Sequence, residues 1–295
     1  MNPITYIPQL LISGITIGGA YALVALGFVT IARTSQIINF TQGEFVMLGG
    51  VITFFLLQAG LPYLLAILLA IGLVILVGFL IQILDIYPLR KASVLILIIA
   101  TLGASLFLSN ASAVIFGSLP KALPTFSGGK PFEMGGILIS CQSLWVLGIT
   151  FLLLMFLYFL SHRTLLGKAM EASSTDPLGA ELSGISRNLM ALLAFGVSAG
   201  MGAIAGIFIT PIYYTSFNSG TLLGLKGFVA AVLGGWGKNS GAILGGFTLG
   251  VIESLSVAFI PSGYKDGIAF AILLIILYLR PKGILGSPFI DSRRW

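Results

Sequence analysis

Long apolar runs separated by short polar breaks dominate the chain, and they predict membrane-spanning helices. A hydrocarbon core of about 30 Å needs roughly 20 apolar residues per helix. Nine segments are candidates: Ile7–Ile31, Glu44–Leu57, Tyr63–Leu84, Val94–Phe116, Ser143–Leu160, Leu189–Ile209, Leu222–Gly235, Ala242–Phe259 and Gly267–Leu279. The second and seventh are short for a full crossing. Both follow stretches containing Gly, Asn and Thr, as broken or re-entrant helices do, so an eight-span arrangement is the rival. The first run carries no charge before Arg33. That is about twice the length of a signal-peptide apolar core, so it is expected to stay as a membrane helix.

Composition agrees with the pattern. Of 295 residues, 57% are hydrophobic and 8% charged, with mean hydropathy +1.08, against about 25% charged in soluble domains. A cytosolic enzyme and a disordered chain are both excluded. The net charge of +6 comes from basic residues scattered among apolar runs, which argues against nucleic-acid binding. Cys141 and His162 are each the only residue of their kind. Disulfides and Cys- or His-based metal sites are therefore not expected.

Basic residues set the expected orientation. With the N-terminus outside, Arg33, Arg90, Lys91, Arg163, Lys168, Arg187, Lys238, Arg280, Lys282, Arg293 and Arg294 fall inside. Lys121, Lys130, Lys226 and Lys265 fall outside, a split of 11 against 4 of the 15. The C-terminus is then cytoplasmic.

The fold class read from this pattern is an all-α polytopic membrane protein with about 8–9 transmembrane helices in two inverted repeats. The chain divides as one transmembrane domain: first repeat 1–116, external loop 117–142, linking helix 143–161, cytoplasmic region 162–187, second repeat 188–280 and cytoplasmic tail 281–295. The second segment of each repeat carries a related pattern. Asn39-Phe40-Thr41-Gln42-Gly43-Glu44-Phe45 leads to Gly49-Gly50. Phe217-Asn218-Ser219-Gly220 leads through Lys226-Gly227-Phe228 to Gly234-Gly235. Polar breaks of this kind line the path in transporters, which makes Asn39, Thr41, Gln42 and Asn218 candidates for it.

Ionisable groups at membrane depth are costly and face cavities or partners. Glu44, Lys226 and Glu253 stand out. Glu44 and Lys226 occupy related repeat positions and are expected near the translocation path, or paired near its axis. Snorkelling to a headgroup region is the plainer reading for both. Glu253 lies mid-helix, where a hydrogen bond to a neighbouring helix competes with a substrate contact.

The polar stretch Arg163–Ile185 holds a short capped helix. Asp176 suits the N-cap and Pro177 the first helical position. Gly184 suits a left-handed C-cap, followed by apolar Ile185. About seven residues give a helix about 10 Å long, marginal alone in water and suited to docking in a groove of another protein. Ala180, small and apolar, is expected on the buried face of that contact.

Four stretches, Gly19–Gly27, Asn39–Gly49, Arg163–Ile185 and Lys226–Glu253, together with Arg280-Pro281-Lys282-Gly283-Ile284-Leu285-Gly286, resemble the H-type permease subunits of branched-chain amino-acid ABC importers. The resemblance covers nearly the whole chain. It implies a fold related to vitamin B12-type importer permeases with one fewer N-terminal helix, in the bacterial inner membrane. It implies that Asp176–Ile185 is a coupling helix, with Arg163, Gly167, Asp176, Pro177, Ala180, Glu181, Gly184 and Ile185 as coupling residues. The implied partners are a second, homologous permease, two cytoplasmic ATPases, an external binding protein, membrane lipid and a small amino-acid substrate. Position 42, often His in the family, is Gln here, which argues against proton-linked chemistry there.

No G-x-x-x-x-G-K-[ST] phosphate loop occurs in the chain, so ATP and Mg are expected on the partner ATPases and no catalytic residue or cofactor on this chain. The loop from Gly117 to Gln142, with Lys121, Lys130 and Glu133, is expected to help dock the binding protein. Two alternatives stay open: a urea or short-amide importer permease, and an ion-coupled secondary transporter.

Overall fold

The computed structural model describes residues 3–128, 131–134 and 137–285. Its helices are α1 (Pro3–Ser35), α2 (Gln42–Gln58), α3 (Tyr63–Ile81), α4 (Val94–Phe116), α5 (Cys141–Arg163), α6 (Leu165–Thr175), α7 (Pro177–Leu182), α8 (Arg187–Tyr213), α9 (Ser219–Gly234), α10 (Asn239–Ser256) and α11 (Lys265–Leu279). Each of the nine apolar runs forms a helix. Among the described residues, five helices are long and apolar enough to cross a membrane: α1, α3 with its π-helical extension to Ile86, α4, α5 and α8. The α9–α10 pair bends by 117° and counts as one broken span or a re-entrant loop, and α2 is shorter. Lys130 and the tail residues Gly286, Arg293 and Arg294 lie outside the described residues.

Local chemistry marks several helix starts. Ser140, Thr164, Asp176 and Ser186 each accept a hydrogen bond from a backbone N–H of the first turn of α5, α6, α7 and α8, satisfying donors the helix cannot.

Burial separates centre from periphery. In α1 and α8, 83% and 72% of the most apolar window is buried, against 22% in α3, α4 and α5. The outer helices turn Leu, Ile and Phe outward, as a surface bathed in lipid requires, while small residues pack inside. At the centre, Gly14 and Gly18 of α1 face Gly246 and Gly250 of α10. A β-carbon on Gly250 would lie 2.5 Å from Gly18 Cα. The packing partners exchange between the halves: α1 lies on α9 and α10, α8 lies on α2 and α3, and α2 lies on α9.

The described parts of the segment between α4 and α5 make defined contacts. Lys121 and Thr215 exchange backbone hydrogen bonds of 2.7 and 2.9 Å. Strands β1 (Phe132–Met134) and β2 (Ile137–Ile139) pair antiparallel. The Gln9 amide clamps both backbone groups of Leu138.

Candidate functional site

Two interrupted segments, one from each half, meet at their helix starts. Gln36, at φ +59°, turns the chain out of α1. Asn39 Oδ1 then accepts from Thr41 N at 3.1 Å and Thr41 Oγ1 at 2.6 Å, a local turn that aims the chain into α2. Gln42 reaches across to α8: its Nε2 donates to the Ser198 carbonyl at 3.2 Å, and Ser198 Oγ donates to its Oε1. Asn39, Thr41, Gln42 and Glu44 are all fully buried.

Glu44 sits in the first turn of α2, where a carboxylate is favoured by the helix N-terminus. Its Oε1 accepts from Ser105 of α4 and Thr221 of α9, each at 2.9 Å. Its Oε2 has no hydrogen-bond partner, and neither has Asn39 Nδ2. The start of α9 approaches so closely that a β-carbon on Gly43 would lie 2.6 Å from Gly224 Cα. Only glycine permits that crossing, which brings a second helix N-terminus beside the carboxylate.

Lys226 does not pair with Glu44. Its Nζ donates to Glu253 Oε1 at 2.8 Å and lies 2.7 Å from Asp266 Oδ1, while Tyr21 Oη donates to Glu253 Oε2 at 2.9 Å. Helical geometry explains the difference. Thr221 and Lys226 are five residues apart on α9, about 140° around the helix. With Thr221 turned to Glu44, Lys226 faces α10 and α11 instead. Glu253 is thus hydrogen-bonded to two other helices, and the network ties α1, α9, α10 and α11 together. Asn218, at the start of α9, is exposed and makes no side-chain bond to that helix.

Phe28, Phe40, Phe228 and Trp236 form an aromatic cluster with ring centroids 5.4–6.5 Å apart. Phe40 comes from the break before α2 and Trp236 from the break after α9. Trp236 also lines a cavity of about 890 Å³, with Gln82, Arg90, Glu181 and Arg187. Gln82 Oε1 is buried in its wall without a partner.

The polar stretch folds as two helices. Sequence reasoning anticipated α7 and missed α6, whose Glu171 pairs with Arg33 at 3.4 Å. Asp176 Oδ1 accepts from Gly179 N at 3.1 Å, and Pro177 opens α7. At the other end Ile185 N donates to Ala180 O at 2.9 Å and Gly184 N to Glu181 O at 3.0 Å, with Gly184 at φ +82°. These two bonds are the Schellman closure. Arg163 ends α5, and Gly167 N donates to Thr164 Oγ1. Ala180 is buried at 5% exposure against this chain's own helices, so the expectation that it faces a partner is corrected. The outward residues of α7 are Leu178 and Leu182, 75% and 91% exposed, with Glu181 between them.

Four site residues escaped the sequence reading: Ser105, Thr221, Tyr21 and Asp266. A signal existed for the first. Thr101, Ser105, Ser109 and Ser112 are buried on α4 at three- and four-residue spacing, an inward polar stripe on a helix whose other face is apolar.

The family described as branched-chain amino acid transport system, permease component, matches residues 10–277. The high-affinity branched-chain amino acid transport system permease protein BraD of Pseudomonas aeruginosa is 36% identical, covering 99% of this chain and 100% of that protein. The corresponding LivH proteins of Salmonella typhimurium and Escherichia coli are 34% and 33% identical, each covering 97% of this chain and 98% of theirs.

Proposed function

The chain belongs to the branched-chain amino acid transport permease family, and we propose that it is the membrane-embedded permease subunit of an ATP-driven importer. In this reading it forms, with a second homologous permease, a path for branched-chain or other small neutral amino acids. Two separate cytoplasmic ATPase subunits hold ATP and Mg and supply the energy, and an external binding protein delivers substrate. The chain lies in the bacterial inner membrane with its N-terminus outside and its C-terminus inside.

The observation that carries the reading is α7. A helix of 6 residues, closed at both ends by its own capping bonds, turns two leucines outward on one face. Leucines at i and i+4 with so much exposed surface are suited to a groove in a partner. The absence of a phosphate loop in the sequence supports hydrolysis on separate subunits.

The path reading draws on the paired breaks. The exchange of packing partners between the halves fits two repeats of opposite topology, with Asn39, Thr41, Gln42 and Glu44 at one break and Asn218 at the other. The loop around Lys121, which pairs with Thr215 just after α8 while α7 lies just before α8, suits docking of the binding protein. The relatives are branched-chain amino acid permeases, which favours that substrate class over urea or short amides.

Reconstitution tests the proposal. Proteoliposomes holding both permeases, the ATPases and the binding protein should accumulate leucine, isoleucine or valine only with ATP. The same vesicles without the ATPases should not. Equal uptake by this chain alone would replace the proposal with the secondary-transporter reading.

A further inference from the structure

The ion network around Lys226 borders open space. A cavity of about 290 Å³ is lined by Ile17 and Tyr21 of α1, Ile209 of α8, Leu222 and Lys226 of α9, and Glu253 of α10. Tyr214 also lines it, one residue before Thr215, which pairs with the 117–140 loop. The cavity therefore lies on the loop side of the molecule. Ligand pockets run from about 300 to 1,000 Å³, so its occupant is small.

Its walls combine charged, hydroxyl and aliphatic groups, with Lys265 as a second cation and Ser13, Tyr213, Ser219 and Ser254 supplying hydroxyls. Lys226 Nζ and Glu253 Oε1 present a cation and an anion 2.8 Å apart. Ile17, Ile209 and Leu222 supply an aliphatic surface. The side chains of Lys226 and Glu253 are only 9% and 6% exposed, so each acts strongly on a ligand group of opposite sign, and a ligand carrying one charge engages only one of the two. A zwitterion adds no net charge. Its carboxylate can share Lys226, and its ammonium can share Glu253. Asp266, 2.7 Å from Lys226, remains a partner for the lysine while Glu253 turns to the ligand.

We propose that this cavity is a transient binding site for a small zwitterionic amino acid with an aliphatic side chain. Lys226 takes the carboxylate, Glu253 takes the ammonium, and Ile17, Ile209 and Leu222 hold the side chain. The proposal rests on the importer reading above and adds to it a place where the permease itself selects substrate.

The test uses the assembled permease–ATPase complex in nanodiscs without the binding protein, and ligand-observed NMR with three probes. L-Leucine carries both charges, 4-methylpentanoate lacks the ammonium, and 3-methylbutylamine lacks the carboxylate. Leucine should bind, and each analogue should bind at least about tenfold more weakly, the factor that about 1.4 kcal/mol of differential affinity produces. The double variant Lys226→Met/Glu253→Gln should lose leucine binding to a similar degree. So should Leu222→Trp, which fills the cavity and leaves the charges in place. Equal binding of the three probes, or full leucine binding by both variants, overturns the proposal. Absence of leucine binding by a complex that imports leucine with its binding protein also overturns it and leaves the importer reading standing. A complete complex that imports no branched-chain amino acid overturns the reading itself, and the proposal with it.

Discussion

Lys226 and Glu253 meet at 2.8 Å across 27 residues of sequence, and their contact joins the two helices on either side of the 117° bend. The pair therefore holds the broken segment of the second half in shape. Lys226→Met leaves Glu253 and Asp266 without their cation, and breaking a buried pair costs about 3–5 kcal/mol. Lys226→Met with Glu253→Gln should recover a large part of that loss. Lys226→Met with Glu44→Gln should be additive to within about 0.5 kcal/mol, because the two groups share no partner. Thermal unfolding in detergent checks both cycles. Strong coupling between positions 44 and 226 would contradict the geometry.

Glu44 presents the opposite case, a buried carboxylate held by hydroxyls alone. Glu44→Gln keeps an acceptor oxygen for Ser105 and Thr221, whereas Glu44→Ala strands both hydroxyls at a cost of about 1–3 kcal/mol. The glutamine variant should melt near the wild type and import poorly, and the alanine variant should lose both properties. Melting curves and uptake measured on the same preparations separate these effects. Equal destabilisation by the two substitutions would mean that the acceptor role is immaterial.

The crossing of α2 and α9 gives a steric prediction. Gly43→Ala forces a β-carbon to within 2.6 Å of Gly224 Cα, against backbone that cannot swing aside. Overpacking of this kind costs about 1–3 kcal/mol, and Gly43→Val should prevent accumulation of folded protein. Gly72→Ala, on α3 with nothing within 4 Å, is the matched control and should stay within about 0.5 kcal/mol. Monodisperse yield and melting temperature report the contrast.

Capping was legible in the sequence because it is local. Asp176, Pro177 and Gly184 announce α7 through rules that span a few residues, and the structure closes the helix with those bonds. The nine apolar runs were legible for the same reason. Their crossing number was not, because α2, α9 and α11 are 17, 16 and 15 residues long, and length alone does not say which of them cross. The burial of Glu44 could be inferred from its apolar surroundings. The partner of Lys226 could not, since it depends on which face of α9 meets α10 and α11, a tertiary choice. Ala180 shows the same limit: its size suggested a tight contact and left open that the contact is with this chain.

That correction changes what substitutions in α7 should do. Ala180→Trp should destabilise this chain itself, by about 1–3 kcal/mol of overpacking, and reduce its yield. Gly184→Val meets open space but must adopt φ +82°, which a β-branched residue tolerates poorly. It should loosen the end of α7 and leave the membrane helices folded. Yield and melting temperature of the two variants distinguish damage to the chain from damage to the coupling surface.

The outward face of α7 is where this chain would transmit ATP hydrolysis to transport. Leu182→Glu, at a side chain 91% exposed in this chain, should change its stability by no more than about 0.5 kcal/mol. It places a charge where a partner would bury a leucine, an exchange that forfeits about 1.5–3 kcal/mol of apolar burial. The decisive measurement is ATP-driven leucine uptake, together with substrate-stimulated hydrolysis, by the reconstituted complex carrying this one change. Coupling through α7 predicts normal membrane levels of the chain, at least about tenfold lower uptake, and weakened ATPase association or hydrolysis that no longer responds to substrate. Wild-type uptake with wild-type stimulation would contradict it and show that α7 is only a linker.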